Sequence, residues 1–245
     1  MRFMVKIADK VIALDSQYDY LQKYCREYCI SECEPDLEIE IYPEEIEAER
    51  NYDDVAAYSN QYLETVATLR KLGEVFPLHD RALCHGAVIS FADVGGFMFA
   101  APSGTGKSTH IHLWKKYLGD AVEIINGDKP FLEIRDESVV VYGTPWAGKE
   151  NWQKNKSAEL KGICFLKRGK ENKIRRAEPL ECLELMMHQV YMPRNAEAAG
   201  KTLELLEKIL ERVPVYILYC DISEDAVKCS FEMLTGLEYE EFSIG

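Results

Sequence analysis

The stretch "FMFAAPSGTGKSTHIHLW" at residues 97–114 constrains this chain more than any other. An apolar strand runs into a tight loop with two glycines, and Gly106-Lys107-Ser108-Thr109 opens a helix, the order of a phosphate-binding loop. Loop N–H groups and the positive helix end then converge on one spot, where the main chain alone can hold an anionic phosphate. The candidate nucleotide-binding residues are Ser103, Gly104, Thr105, Gly106, Lys107, Ser108 and Thr109. Lys107 is expected to bridge the β- and γ-phosphate oxygens of a nucleoside triphosphate, and Ser108 to offer its hydroxyl to Mg²⁺. Gly104 and Gly106 allow positive φ and a close approach that a Cβ would block. The motif usually opens with glycine, and Ala101 stands there instead. Pro102 biases Ala101 towards an extended strand end, which alanine tolerates while its φ stays negative.

The chain has 245 residues, 47% hydrophobic and 29% charged, the composition of a folded soluble protein without low-complexity tracts. A net charge of −13 argues against nucleic acid as the main partner, because phosphate contacts need clustered Lys and Arg. The opening "MRFMVKIADKVIALD" interrupts its apolar positions with charges, so neither a signal-peptide core nor a membrane span is expected, and a cytoplasmic location is. Eight cysteines without the short paired spacings of a secreted scaffold fit reduced thiols. Cys25, Cys29 and Cys33 are spaced for one helix face. Small buried residues are a better account of them than a metal site, which would need a fourth ligand.

Periodicity predicts strands at 3–7 and 11–14, a helix over 16–30 opened by Asp15 or Ser16, and a strand in "LEIEIYP". These form a small N-terminal α+β unit, residues 1–54. Val55, Tyr58, Tyr62, Val66, Leu69 and Leu72 recur at helical spacing, with Asp53 or Asp54 as cap and Gly73 as terminator. "ALCHGAVISF" and "FMFAA" read as a hairpin turning at "ADVGG", its second strand feeding the phosphate loop. In the helix that follows, Ile111, Trp114 and Leu118 share a face and Gly119 is the stop. Strands follow at "AVEII", "FLEI", "SVVVY", "LKGICFLKR", "NKIRRAE" and "VPVYILYC", with helices at 179–190, 195–212 and from Ser223 to about Leu234.

A guanine-specific switch needs N-K-x-D, and Asn155-Lys156-Ser157-Ala158 lacks the aspartate. The strand-rich run after the loop helix also departs from the regular βα alternation of nucleotide kinases. The succession "CHGAVISF", "GGFMFAAPSGTGKSTHIHLW", "EIINGDKPFL" and "VYGTPWAGK", within roughly residues 55–220, resembles the HPr serine kinase/phosphorylase group and its shorter relatives. Their P-loop domain is similar to that of phosphoenolpyruvate carboxykinase. The resemblance implies an α/β fold with a mixed, strand-rich P-loop kinase domain over 55–245, and ATP- and Mg²⁺-dependent transfer to a hydroxyl, often a serine. It also favours a homo-oligomer. His85 matches a histidine that the group places near the reacting phosphate, and Asp128 an acidic position serving as metal ligand or general base.

Two departures stand out. The group commonly has a pair of aspartates where this chain has Gly127-Asp128, so one carboxylate must hold metal, accept the proton, or share both tasks. The HPr-recognition loop is not found and the N-terminal unit is short, so HPr is not carried over as substrate. "GTPWAGKENW" reads either as a mobile loop offering Trp146 and Lys149 to a substrate or adenine ring, or as a turn with Trp146 as a buried anchor. Glu150 is a candidate second carboxylate. Arg175, Arg176 and Arg194 are read as surface charge rather than as phosphate ligands. The leading expectation is a kinase acting on a peptide, protein or small-molecule hydroxyl, with no nucleic acid or membrane partner. Lys107 holds the triphosphate, Ser108 and Asp128 the Mg²⁺, and Asp128, with His85, takes the proton. The alternative is a non-catalytic ATP-binding regulatory or scaffold protein. Phosphoenolpyruvate carboxykinase activity is disfavoured by chain length.

Overall fold

In the computed structural model, residues 1–52, 57–102 and 104–244 are described. Strands β1 (Arg2–Ile7) and β2 (Lys10–Asp15) form a hairpin whose turn residues Ala8 and Asp9 take φ of 49° and 61°, the left-handed pair that matches strand twist in a two-residue turn. With β3 (Cys29–Ile30) and β4 (Leu37–Glu40) they make a four-stranded sheet of order β3-β1-β2-β4. The helix expected over 16–30 is shorter, α1 (Asp19–Tyr24), followed by a 3₁₀ turn at Arg26–Tyr28. Strand pairing stops it: Cys29 and Ile30 sit opposite Val5 and Met4. The three cysteines therefore share no helix face; Cys25 caps α1, Cys29 lies in β3 and Cys33 is exposed.

Helix α2 (Pro43–Ala48) precedes α3 (Asn60–Val75). Asp53, Asp54 and Val55, expected at the start of α3, lie outside the described residues, and Tyr58 precedes the helix. Ser59 is the cap, its side chain accepting from the Tyr62 N–H. Gly73 does not end α3, which continues to Val75. A Cβ there would lie 2.8 Å from the Tyr191 ring, so the glycine serves close packing.

The second sheet has nine strands. Seven run in the order β5-β9-β10-β11-β7-β6-β8: β5 (Arg81–Leu83), β9 (Phe131–Ile134), β10 (Val139–Tyr142), β11 (Ser157–Arg168), β7 (Gly95–Ala100), β6 (Ala87–Phe91) and β8 (Val122–Asn126). The first residues of β11 pair antiparallel with β10, while its later part runs parallel to both β7 and β13 (Val215–Cys220). The ninth strand, β12 (Lys173–Arg176), pairs with β13. The expected run "ALCHGAVISF" is two strands, β5 and β6, broken at Cys84-His85-Gly86.

Both faces of the sheet are covered. Along β7, Phe97 and Phe99 pack with Ile111 and Trp114 of α4 (Lys107–Leu118) and Phe231 of α7 (Glu224–Thr235). Met98 and Ala100 point the other way, to Met186 of α5 (Pro179–Met187) and Leu205 and Ile209 of α6 (Ala196–Arg212). That alternation gives a strand buried on both sides an unbroken apolar sequence. A third cluster joins the N-terminal sheet and α3 to Phe131, Tyr142 and Trp146. Among the described residues, no helix is long and apolar enough to cross a membrane.

Candidate functional site

Strand β7 delivers the chain to Ala101, which is buried. Its φ is not positive, so alanine suffices where glycine is usual. Thr105 N–H donates to the Pro102 carbonyl, and Gly106 caps α4 while its own carbonyl accepts from His110 N–H. Gly104 and Gly106 have φ of 75° and 118°, and among the described residues beyond its chain neighbours a Cβ on either would meet no atom within 4 Å. The left-handed backbone, not crowding by protein, calls for glycine here. The space over the loop is open. Ser103 lies outside the described residues.

Gly104, Gly106, Lys107, Ser108, Thr109, His85 and Asp128 line one cavity of about 390 Å³, which Gly148, beside Asp128, and Lys149 and Glu150 also line. Thr105 lines a neighbouring cavity of about 420 Å³ on the other flank of the loop, beside Leu113, Leu166 and Ile222. Arg168, at the end of β11, donates to the Gly104 carbonyl at 2.6 Å. Nothing in "FLKR" signals that contact, because β11 and the loop meet only through sheet order.

His85 is fixed by its main chain at the break between β5 and β6. Its N–H donates to the Gln189 carbonyl, and the flanking Cys84 and Gly86 N–H groups donate to Pro130 and Asp128. Asp128 is fixed by a turn: buried Asn126 accepts from both the Asp128 and the Lys129 N–H at 2.9 and 2.8 Å through Oδ1 and donates through Nδ2 to Thr144. An asparagine closing a strand two residues before an aspartate is a turn signal in the sequence. It identifies Asn126 as the residue that positions Asp128.

His85 Nε2 lies 3.0 Å from Asp128 Oδ1, and Lys107 Nζ is 3.3 Å from the same nitrogen and 3.7 Å from the same oxygen. When Nε2 carries its proton towards Asp128 it cannot also accept from Lys107, so the proton position decides which pair is bonded. Burial works against an ionised Asp128, but the His85 hydrogen bond and the charges of Lys129, His85 and Lys107 outweigh it and hold the carboxyl down to about 2. Burial lowers the Lys107 ammonium, against the pull of Asp128.

Trp146 offers no aromatic face to the cavity. It is 5% exposed, packs with the N-terminal sheet, and donates from Nε1 to the Thr65 carbonyl at 2.8 Å. Lys149 is exposed at the cavity wall. Arg175 is held bidentately by Glu181, and Arg194 donates to the Tyr52 hydroxyl. Together, the cavity is lined by the start of α4, the half-buried Lys107 ammonium, the hydroxyl residues Ser108 and Thr109, and the ionised Asp128 carboxylate beside His85. Those parts can bind an anion and accept a proton beside it.

Neither a protein-family model nor a curated protein matches the sequence. Among solved structures, the chain is similar to the HPr(Ser) kinase/phosphatase from Coxiella burnetii at 11% identity and a TM-score of 0.35, covering 62% of this chain and 92% of that one. At that distance the likeness assigns no residue a role.

Proposed function

We propose that the protein is an ATP- and Mg²⁺-dependent kinase that transfers the γ-phosphoryl group to a hydroxyl. The observation that carries this reading is the convergence of the glycine loop, Lys107 and the His85–Asp128 pair on one cavity. The triphosphate lies on the loop amides and Lys107, with Arg168 bracing the loop from β11. The nucleoside occupies the flanking cavity, which shares Gly104, Gly106 and Thr109 with the phosphate cavity. Asp128, ionised, accepts the acceptor's proton, and His85 orients that carboxylate.

Among the described residues, no group of three His, Cys, Asp or Glu could hold a metal ion. Ser108 and Asp128 nevertheless face one cavity as two hard oxygens. This suits Mg²⁺, which keeps several waters and takes phosphate oxygens beside one or two protein ligands. When bound, the ion supplies charge neutralisation on the phosphates.

Purified protein should turn ATP over to ADP faster when a suitable hydroxyl substrate is added. Lys107→Met should weaken ATP binding by at least about tenfold, and Asp128→Asn should lower transfer by about 10²-fold or more with a smaller loss of ATP affinity than Lys107→Met shows. Calorimetric titration with ATP and a phosphate-transfer assay measure the two effects, and full turnover in Asp128→Asn sinks the assignment. Because Asp128 is held near 2, its protonation should not produce an acid limb above about pH 4 in the rate profile.

A second reading, a nucleotide-binding protein without transfer, draws on the single carboxylate at 127–128. Mass spectrometry of a cell extract incubated with the protein and Mg·ATP separates the two, since this reading leaves no new phosphorylated species.

A further inference from the structure

Behind His85 lies a third cavity, of about 330 Å³, walled by Val66 and Leu69 of α3, Leu83 of β5 and the segment after α5. Of the described residues lining it, His85 alone also lines the phosphate cavity. Asp128 and Lys129 continue this junction, Asp128 lining the phosphate side and Lys129 the other. A hydroxyl presented beside His85 from this third cavity therefore meets the carboxylate that His85 holds at 3.0 Å.

The polar groups of the cavity divide into spent and available. Arg70 is committed bidentately to Glu49, and the Tyr191 hydroxyl donates to Glu74. Among the described residues, the Lys129 ammonium has a loose ion pair with Asp128, at 3.6 Å. Gln189 lines the cavity with other atoms, its Oε1 being closed off from solvent and so not a contact open to a ligand. His188 adds an exposed imidazole. A loosely paired ammonium asks for a carboxylate. The volume sits at the lower end of small-molecule sites.

We propose that this cavity is the acceptor pocket and takes a small hydroxyl-bearing carboxylic acid, such as glycerate or a free hydroxy amino acid. This rests on the kinase reading above. The acceptor's carboxylate pairs with Lys129, and its hydroxyl oxygen passes His85 towards the γ-phosphorus. The new O–P bond forms as the bond from the γ-phosphorus to the bridging oxygen breaks. ADP leaves with that electron pair, and the hydroxyl proton goes to Asp128.

The test offers Mg·ATP with L-serine, L-threonine, L-homoserine or glycerate, and in parallel with glycerol and an end-blocked serine peptide, reading product by phosphorus NMR. ATP affinity is titrated separately. At least one of the acids should be phosphorylated with a kcat/KM about tenfold or more above glycerol and the blocked peptide. Leu69→Trp, which fills the cavity, and Lys129→Gln, which removes its charge, should each raise the acid's KM about tenfold or more with ATP affinity within about twofold. Two variants are used so that a folding defect in one does not decide the matter. The proposal is overturned if glycerol or the peptide is the better acceptor, if no compound in the panel is phosphorylated while ATP binds, or if neither variant moves the KM. Failure to bind ATP at all is a different result, and removes the kinase reading itself.

Discussion

A Cβ on Gly127 would stand 2.4 Å from the Ala147 carbonyl oxygen, a backbone atom that cannot move without the whole 143–148 turn. The absence of a second aspartate before Asp128 is thus enforced by packing in this chain. Gly148 lies on the other side, where an added Cβ would come within 3.1 Å of Asp128 Cβ. Gly127→Asp should therefore not supply a second carboxylate. It should cost about 2 kcal/mol or more of stability and lower transfer, measured as a fall in denaturation midpoint and in turnover; a stable, more active variant would contradict the packing argument. Asn126→Ala removes the side-chain acceptor shared by the half-buried Asp128 and Lys129 N–H groups, of which Lys129 keeps the Trp146 carbonyl, and the donor to Thr144. It should cost about 1–3 kcal/mol and reduce kcat more than it alters ATP affinity. Asp128 and His85 were marked as candidates, by a strand end and by the family resemblance, and they lie 3.0 Å apart. The reason for Gly127 was not legible in the sequence, because it lies in a carbonyl twenty residues further on.

At the scale of elements, the hairpin of β6 and β7 and the helix α4 follow from alternation and from the apolar face Ile111, Trp114 and Leu118. Helix α1 did not follow, because its helical periodicity competes with strand pairing to Val5, a contact between residues far apart in sequence. The contact between α4 and α7 has its own polar core. Trp114 Nε1 donates to Ser230 Oγ at 2.9 Å and lies 3.2 Å from His110 Nε2, with all three residues buried. Burial pushes His110 down to about 4, so the folded protein keeps it neutral where an unfolded chain begins to protonate near 6.5. The unfolded state then binds more protons below neutrality, and stability falls as pH drops from about 6.5 towards 4, by about 3 kcal/mol. Chemical denaturation at pH 7 and pH 4.5 should show the loss, and His110→Gln should flatten it; an equal slope in that variant would place the pH dependence elsewhere.

Across the whole molecule, three cavities lie in succession, joined by the glycine loop on one side and His85 on the other. The outermost borders α3, which shares its core with the N-terminal sheet. Trp146 links the two halves. Its carbonyl accepts from Lys129 N–H, beside Asp128, while its indole donates to Thr65 in α3. The sequence marked Trp146 as special but offered both a substrate loop and a buried anchor, and only the tertiary partner of its N–H distinguishes them. Trp146→Phe keeps an aromatic ring and deletes that donor. It should cost about 2–3 kcal/mol from the lost hydrogen bond and the smaller ring, leaving one cooperative unfolding transition. Amide exchange should then quicken in two separated places, the middle of α3 and the turn at 127–130, because one side chain tethers both. Faster exchange confined to 143–148 would mean that the turn carrying Asp128 does not depend on the Trp146 indole and is held by Asn126, Thr144 and the Gly86 N–H.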